Sequence, residues 1–271
     1  MPFADLPNIR IHYALSGDRS LPALVLSNSL GTNLSMWDLQ APPFEKSFRL
    51  LRYDMRGHGQ SSVPPPPYSV PELAADVLSL VDSLGIDRFH FCGISVGGMI
   101  GMSLARKAPE RLEKLVLCST AAKIGTLESW NTRIETVRTQ GMKEIARTTP
   151  ARWFTPSFQA NSRDLVSAIL KAVESMNPEG YIGGCCAVRD FDARAIVSDI
   201  RIPTLVISGT HDPATPASDG HFLADHIPGA HYAELHAAHI SNIEDSARFT
   251  SEVLSFLRNG NVIAGGSHGR T

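Results

Sequence analysis

Short apolar runs alternate with helical periodicities along most of this chain. Runs rich in Val, Ile, Leu and Phe, bounded by glycine, proline or polar clusters, are typical of parallel strands that are buried on both faces. One early segment alternates apolar and polar side chains instead, which predicts an antiparallel strand near the edge of the sheet. The predicted strands are 9–13 (the alternating one), 23–26, 48–52, 89–92, 114–118, 203–208 and 231–235.

Helical patterns fill the intervals between these strands. Residues 69–84 open with the S-x-x-E spacing of a capping box and place apolar side chains on one face. The small and apolar residues 97–105 predict a closely packed helix. A second S-x-x-E, at residues 241–244, predicts a helix that runs to about Arg258. This alternation predicts an α/β fold with a mostly parallel central sheet flanked by helices.

The stretch from Lys123 to residue 190 differs from the rest. It holds no convincing strand pattern and is divided by glycines and prolines into several helical segments, clearest at 126–139 and 162–176. We therefore expect a helical cap inserted into the sheet domain. The predicted organisation is 1–122 (first part of the core), 123–190 (cap), 191–260 (second part of the core) and 261–271 (disordered tail).

Composition narrows the class of protein. The chain has 271 residues, 43% of them apolar, and its 25 basic and 27 acidic side chains leave a net charge of −2. This balance argues against nucleic acid or an anionic membrane as the main partner. There is neither a signal-peptide pattern nor an apolar run of about 18 residues, so we expect a cytoplasmic protein without a membrane span. A homo-oligomer is compatible with this composition.

Charge and cysteine use add two expectations. The cap carries nine Lys/Arg and seven Asp/Glu, so it is slightly basic over an acidic core, which suits a small anionic substrate. The four cysteines lie at strand ends or as an adjacent pair, which predicts reduced, structural thiols. No Cys/His spacing suggests a metal site.

The candidate chemistry centres on residues 93–97, which read GISVG. This G-x-S-x-G lies between the strand 89–92 and the helix 97–105. On such a strand–turn–helix corner the motif places Ser95 at the tip of a strained turn, with helix N–H groups aimed at any oxyanion beside it. The alternative is an ordinary glycine turn with a capping serine.

A serine hydroxyl needs a base to take its proton and a third group to orient that base. Asp212 follows the strand 203–208, and His239 lies in the loop after the last strand, in the Ser…Asp…His order expected of this turn. His236 competes with His239, but it follows the strand directly. We favour His239 because its loop position is freer.

Two further loops follow predicted strands. Residues 27–32 (SNSLGT) would supply a second N–H for an oxyanion, from Leu30, or would form an ordinary connection. Asp54, Arg56 and His58 resemble catalytic groups, but we expect them to tie their glycine-rich loop to neighbouring backbone.

Five segments together resemble the α/β-hydrolase superfamily and, more narrowly, the 3-oxoadipate enol-lactonases of bacterial aromatic catabolism. They are 27–32 (SNSLGT), 54–59 (DMRGHG), 93–99 (GISVGGM), 209–212 (GTHD) and 238–244 (AHISNIE).

The resemblance implies that Ser95, His239 and Asp212 open an enol-lactone to 3-oxoadipate without cofactor or metal. The N–H groups of Leu30 and Val96 would hold the oxyanion. Two alternatives keep the serine: a carbon–carbon bond hydrolase or a general carboxylesterase of the same fold. A third is a small-molecule receptor on this scaffold.

Such a lactone carries a free carboxylate, so a closed pocket needs a cation. Arg133 is our first candidate, because it lies three residues after Trp130 and shares its helical face. Lys123 is the second candidate, and Trp153 would add an apolar wall. The alternative places Trp130 in the cap's own core and Arg133 on the surface.

Overall fold

The computed structural model describes residues 2–258, in which eight strands form one sheet in the order β1-β2-β4-β3-β5-β6-β7-β8. The predicted tail, 261–271, lies outside the described residues. The strands are β1 (Phe3–Leu6), β2 (Ile9–Ser16), β3 (Ala23–Ser27), β4 (Arg49–Tyr53), β5 (Phe89–Ile94), β6 (Leu112–Cys118), β7 (Thr204–Gly209) and β8 (His231–Leu235).

The sheet is mostly parallel, as predicted. Only β2 runs antiparallel to its neighbours β1 and β4, and every other pair of adjacent strands is parallel. The apolar runs of β3 and β5 are buried along their whole length, because helices cover both faces. The carboxyl ends of the parallel strands therefore meet at one edge of the sheet, where reactive groups collect in such folds.

Eleven α-helices lie within the described residues. They are α1 (Ala41–Glu45), α2 (Val70–Ser83), α3 (Val96–Lys107), α4 (Leu127–Thr148), α5 (Pro150–Trp153), α6 (Pro156–Asn161), α7 (Arg163–Glu174), α8 (Pro178–Asp190), α9 (Ala217–His226), α10 (Ser241–Glu244) and α11 (Ser246–Arg258). Ser69 and Glu72 form the predicted capping box at the start of α2. Helix α3 packs against β3, β5 and β6 at the centre of the molecule.

Helices α4 to α8 occupy the segment that we predicted to be helical, and no strand interrupts them there. Gly141 has φ 74° and divides α4, as its position among the predicted breaks suggested. Helix α4 packs against α7 and α8. We keep as a proposal that residues 123–190 act as a cap unit on a core made of 1–122 and 191–260.

Two local predictions fail in the last third of the chain. Helix α9 was not predicted, because its ten residues carry no clear apolar periodicity. The capping box at 241–244 does not form, since Ile240 and not Ser241 caps α10. Glu244 instead accepts hydrogen bonds from the backbone N–H groups of Ala238 and Thr155, and the helix breaks at Asp245.

Helix α8 meets the core through backbone contact. A Cβ added to Gly180 would lie 2.1 Å from the Gly57 carbonyl oxygen, and one added to Gly57 would lie 2.7 Å from the Gly180 Cα. Neither position can accept a side chain without moving the helix. The glycine-rich start of α8 is therefore held closely against the loop after β4.

The cysteines and the apolar character of the helices each relate to the class of protein expected from the sequence. All four cysteines are free and buried. Within residues 2–258, no helix combines the length and the apolar character needed to cross a bilayer.

One buried histidine makes the stability of the fold depend on pH. His90 packs edge-on against Phe48, and its Nδ1 has no hydrogen-bond partner within the described chain. Burial, helped by the nearby Lys114 charge, lowers the pKa of His90 from 6.5 to about 4. The unfolded chain binds a proton at His90 more readily than the folded chain does. The contribution of His90 to the free energy of unfolding is therefore fully present above pH 6.5 and is lost as the pH falls through about 4.

We expect this residue alone to lower the free energy of unfolding by about 3 kcal/mol over that range. His90→Gln cannot titrate, so its urea-unfolding free energy should fall less steeply between the two pH values than that of the wild type. His226→Gln, a change of an exposed histidine, serves as the matched control. Equal slopes for wild type and His90→Gln would contradict the prediction.

Candidate active site

Ser95 occupies the sharp turn between β5 and α3. Its φ of 59° and ψ of −117° lie outside the regions that side-chain-bearing residues usually adopt. The turn is held on both sides, because the Ser95 N–H donates to the Cys118 carbonyl at 2.9 Å and the Thr120 hydroxyl donates to the Ser95 carbonyl at 2.7 Å. The strained turn predicted from the motif is therefore present.

The two motif glycines have steric reasons. A Cβ on Gly93 would lie 2.2 Å from the Gly97 carbonyl oxygen, and a Cβ on Gly97 would lie 2.4 Å from that of Ser27. The start of α3 thus packs directly on the end of β3. This contact brings the loop after β3 beside Ser95.

Asp212 and His239 come together at the same edge of the sheet. Asp212 follows β7, His239 follows β8, and His239 Nδ1 donates to Asp212 Oδ2 at 2.8 Å. The carboxylate also accepts from the backbone N–H groups of Ala214 and Thr215 and from the Thr215 hydroxyl. Both side chains are buried, so the imidazole is held in one orientation by a fully bonded carboxylate.

The charge state of Asp212 follows from these bonds. Burial alone would raise its pKa, but the charge and hydrogen bond of His239, with those of Thr215, outweigh burial and lower the pKa below its ordinary value. The other ring nitrogen of His239, Nε2, has no hydrogen-bond partner within residues 2–258. The Ser95 hydroxyl likewise has none there, as is common for such pairs before a substrate binds.

Two backbone N–H groups near Ser95 could receive a developing negative charge. Val96 is the first residue of α3, where an N–H has no acceptor within the helix. Leu30 is buried, and its N–H has no acceptor in the described part of the chain. The contact of Ser27 with Gly97 brings the loop that carries Leu30 beside the start of α3.

The polar residues after β4 are tied to their surroundings, as we interpreted them from the sequence. Asp54 bonds to His12 Nδ1 at 2.7 Å and accepts from the Leu34 N–H. Arg56 makes a paired contact with Asp76 through two nitrogens at 2.7 Å each. His58 is buried, and its Nδ1 donates to the Arg56 carbonyl at 3.0 Å.

Arg133 contacts Tyr181, whose ring lies against the loop after β3. Its Nε donates to the Tyr181 hydroxyl at 2.6 Å, and its guanidinium lies 5.9 Å from the Trp130 ring centre. Tyr181 in turn lies against the loop after β3, because a Cβ built on Gly31 would be 3.1 Å from its ring. Trp130 is buried and donates to the Ile124 carbonyl, so its ring supports the arginine from within the cap.

A second arginine in this region was missed from the sequence. Arg152 lies on α5, partly buried, close enough to Arg133 and Asp212 for their charges to act on it, and burial with the Arg133 charge lowers its pKa. Within residues 2–258, neither arginine forms an ion pair with a carboxylate. The signal in the sequence was an arginine between Pro150 and Trp153, but the direction of its side chain depends on how α5 packs.

The other two cap candidates lie in different surroundings. Lys123 pairs with Asp192 at 3.7 Å, and within residues 2–258 it makes no hydrogen bond or ion pair with Arg133 or Tyr181. Trp153 is buried between the two loops of the site: its ring would lie 3.9 Å from a Cβ on Gly31, and its carbonyl accepts from the Ile240 N–H. Trp153 therefore lies beside the loops of the site, whereas Lys123 is held by an ion pair with Asp192.

An open groove of about 270 Å³ lies under α7, beside both loops. The residues that line it include Met36 and Ile240, and Leu165 and Ile169 of α7. No group of three His, Cys, Asp or Glu side chains within residues 2–258 is placed to hold a metal ion.

Known proteins share this architecture and sequence. The family described as alpha/beta hydrolase fold matches residues 22–246. 3-Oxoadipate enol-lactonase 2 of Acinetobacter baylyi is 42% identical over 251 residues, 93% of this chain and 94% of that protein, and 3-oxoadipate enol-lactonase 1 of the same organism is 35% identical over 90% and 91%. The crystal structure of the enol-lactonase from Burkholderia xenovorans LB400 superposes with a TM-score of 0.94 at 44% identity, covering 95% of this chain and 100% of that one.

These matches confirm both the fold predicted from the pattern of strands and the resemblance carried by the five motifs. The family match spans most of the sequence, and the curated relatives align over nearly their whole length. This chain belongs to the α/β hydrolase fold family.

Proposed function

We propose that this protein hydrolyses 3-oxoadipate enol-lactone to 3-oxoadipate, with Ser95 as nucleophile, His239 as base and Asp212 as the group that orients the base. The observation that carries the proposal is the 42% identity, over 93% of the chain, to a 3-oxoadipate enol-lactonase. The hydrogen bond of His239 to Asp212, beside a strained serine turn, supports the assignment of roles.

The first half of the reaction acylates the serine. His239 Nε2 takes the Ser95 proton as Oγ attacks the lactone carbonyl carbon, and the N–H groups of Leu30 and Val96 stabilise the oxyanion. When the ring C–O bond breaks, the imidazolium returns its proton to the leaving enol oxygen. The enol stays attached to the acyl group and tautomerises to the ketone.

The second half frees the enzyme. A water molecule gives a proton to His239 and attacks the acyl carbon, and the resulting oxyanion occupies the same two N–H groups. Its collapse breaks the bond to Ser95 Oγ, which recovers the proton. Asp212 stays ionised throughout, because its lowered pKa keeps the carboxylate beside the imidazolium.

The cap arginines fit the charge of this substrate. The lactone carries one carboxylate, and Arg133 lies one aromatic ring from the loop that carries Leu30. Hydrolysis of the acyl-enzyme creates a second carboxylate, and Arg152 adds a second cation near Arg133 and Asp212. We assign carboxylate binding to Arg133 with help from Arg152, support of Arg133 to Trp130 and an apolar wall to Trp153. Lys123, which pairs with Asp192, stays the second candidate for the carboxylate.

Kinetics with three substrates tests the proposal. We expect kcat/KM for the enol-lactone to exceed that for a neutral aryl ester and for a dienone acid by at least about 10³-fold. Steady turnover over many equivalents also separates an enzyme from a receptor that stops after one. A preference for either competing substrate would overturn the proposed substrate.

Removing the Arg133 guanidinium should affect anionic substrates selectively. We expect Arg133→Ala to lower kcat/KM for the lactone by a factor that corresponds to about 2–4 kcal/mol of transition-state stabilisation, the scale of a lost desolvated charge pair. Hydrolysis of the neutral aryl ester should stay within about threefold, since that substrate has no carboxylate to bind.

The matched control is Arg138→Ala. Arg138 lies on the same helix, is exposed and pairs with Glu135, so its removal should change neither substrate's kinetics. If Arg133→Ala lowers both substrates equally, the arginine holds the cap together and does not bind the carboxylate.

A further inference from the structure

The loop after β3 bonds every backbone N–H from Ser29 to Thr32 except one. The Ser29 N–H lies 3.4 Å from Met36 Sδ, the Gly31 N–H donates to His58 Nε2 at 3.1 Å, and the Thr32 N–H donates to the Ser29 carbonyl at 3.2 Å. The Leu30 N–H alone has no acceptor within residues 2–258. The Leu30 N–H is therefore the one N–H of this segment that is free to donate to a ligand oxygen.

Thr32 controls the direction in which that N–H points. The Ser29 carbonyl and the Leu30 N–H belong to one peptide group, and in a planar trans peptide they point in opposite directions. The Ser29 carbonyl accepts from both the hydroxyl and the N–H of Thr32, at 2.7 and 3.2 Å. Holding the oxygen on the Thr32 side keeps the Leu30 N–H on the other side.

His58 holds the next peptide group. Its Nδ1 donates to the Arg56 carbonyl at 3.0 Å, which leaves the Nε2 lone pair to accept the Gly31 N–H. Burial lowers the pKa of His58 and so favours the neutral ring that this bond requires. The two peptide groups that flank the Leu30 Cα are therefore each fixed by a buried side chain.

We propose that Thr32 and His58 are positioning residues that hold the Ser29–Leu30 peptide with its N–H toward the oxyanion. Without them this peptide can rotate, and rotation would present the Ser29 carbonyl oxygen to the developing negative charge. The inference rests on the proposed role of Leu30 in ester hydrolysis, but not on which ester is the natural substrate.

A transition-state analogue separates positioning from general stability. A neutral arylboronic acid adds to a serine hydroxyl and places an oxygen of the anionic boronate where the oxyanion forms, whereas the matched arene, with a methyl group in place of the boronic acid, has no such oxygen. We expect Thr32→Val, which keeps the shape but removes the hydroxyl, to lower kcat for a neutral aryl ester by about 10–100-fold with little change in KM. Boronate affinity should fall by the same factor, and affinity for the matched arene should not change.

Three further variants complete the test. Thr32→Ser restores the hydroxyl and should recover most of the loss. His58→Phe fills the ring space but removes the acceptor, so it should reproduce the split between boronate and the matched arene even if Thr32→Val does not fold. Thr139→Val, on an exposed threonine of α4 whose hydroxyl bonds only to its own helix, is the matched control.

The outcomes distinguish this inference from the proposed function. Unchanged boronate affinity in both Thr32→Val and His58→Phe, or equal losses for boronate and the matched arene, would overturn the positioning role. A wild-type protein that hydrolyses the aryl ester and binds boronate but ignores the enol-lactone would overturn only the substrate. A wild-type protein that binds no boronate and turns over no ester would overturn both.

Discussion

Ser95→Ala is expected to lower kcat/KM by at least about 10³-fold while leaving the fold intact. The hydroxyl makes no hydrogen bond within residues 2–258, so its loss removes the nucleophile without leaving a buried partner unpaired. The rate enhancement that remains comes from substrate binding and from the two N–H groups that hold the oxyanion.

The measurement combines steady-state kinetics on the enol-lactone and an aryl ester with a thermal unfolding midpoint. Ser103→Ala, a serine on the helix that follows the turn, is the matched control and should retain activity. Activity of Ser95→Ala within about tenfold of the wild type would remove Ser95 from the mechanism.

His239→Ala should be nearly as damaging as Ser95→Ala, because the two groups act as a unit. The double variant should then be little worse than either single one. Asp212→Asn should keep the fold but lose most activity, since the amide can present the wrong imidazole tautomer. These losses are measured by single-turnover and steady-state rates at one pH.

The neighbouring histidine provides the control. His236 is exposed, and its Nδ1 lies 3.2 Å from His211 Nε2, so it is paired away from Asp212. We expect His236→Ala to stay within about threefold of the wild type. A larger loss for His236→Ala than for His239→Ala would show that the base is the other histidine.

The sheet and its reactive edge were predictable from the sequence, because parallel strands convert chain order into proximity. Asp212 and His239 are 27 residues apart, yet each follows a strand, and those strands are neighbours. The same rule places Ser95 at this edge. No long-range contact has to be guessed in this part of the argument.

The cap could not be predicted in the same way. The contact of Arg133 with Tyr181 joins residues 48 positions apart on two helices, and it depends on the rotation of each helix about its own axis. Periodicity identifies the buried face of a helix, but not the helix that it meets. Arg152 was missed as a site residue for this reason. The capping box predicted at residues 241–244 does not form because the Glu244 carboxylate accepts hydrogen bonds from Thr155 and Ala238 instead.

The backbone at Ser95 has a consequence for how this protein can be changed. A residue other than glycine in such a conformation costs about 1–3 kcal/mol, a sizeable share of the roughly 5–15 kcal/mol that keeps a domain folded. The hydrogen bond that Ser95 donates to Cys118 and the one that it accepts from Thr120 hold the turn against that cost. Selection for thermal resistance alone would therefore favour glycine at position 95, whereas selection for turnover requires the less stable serine.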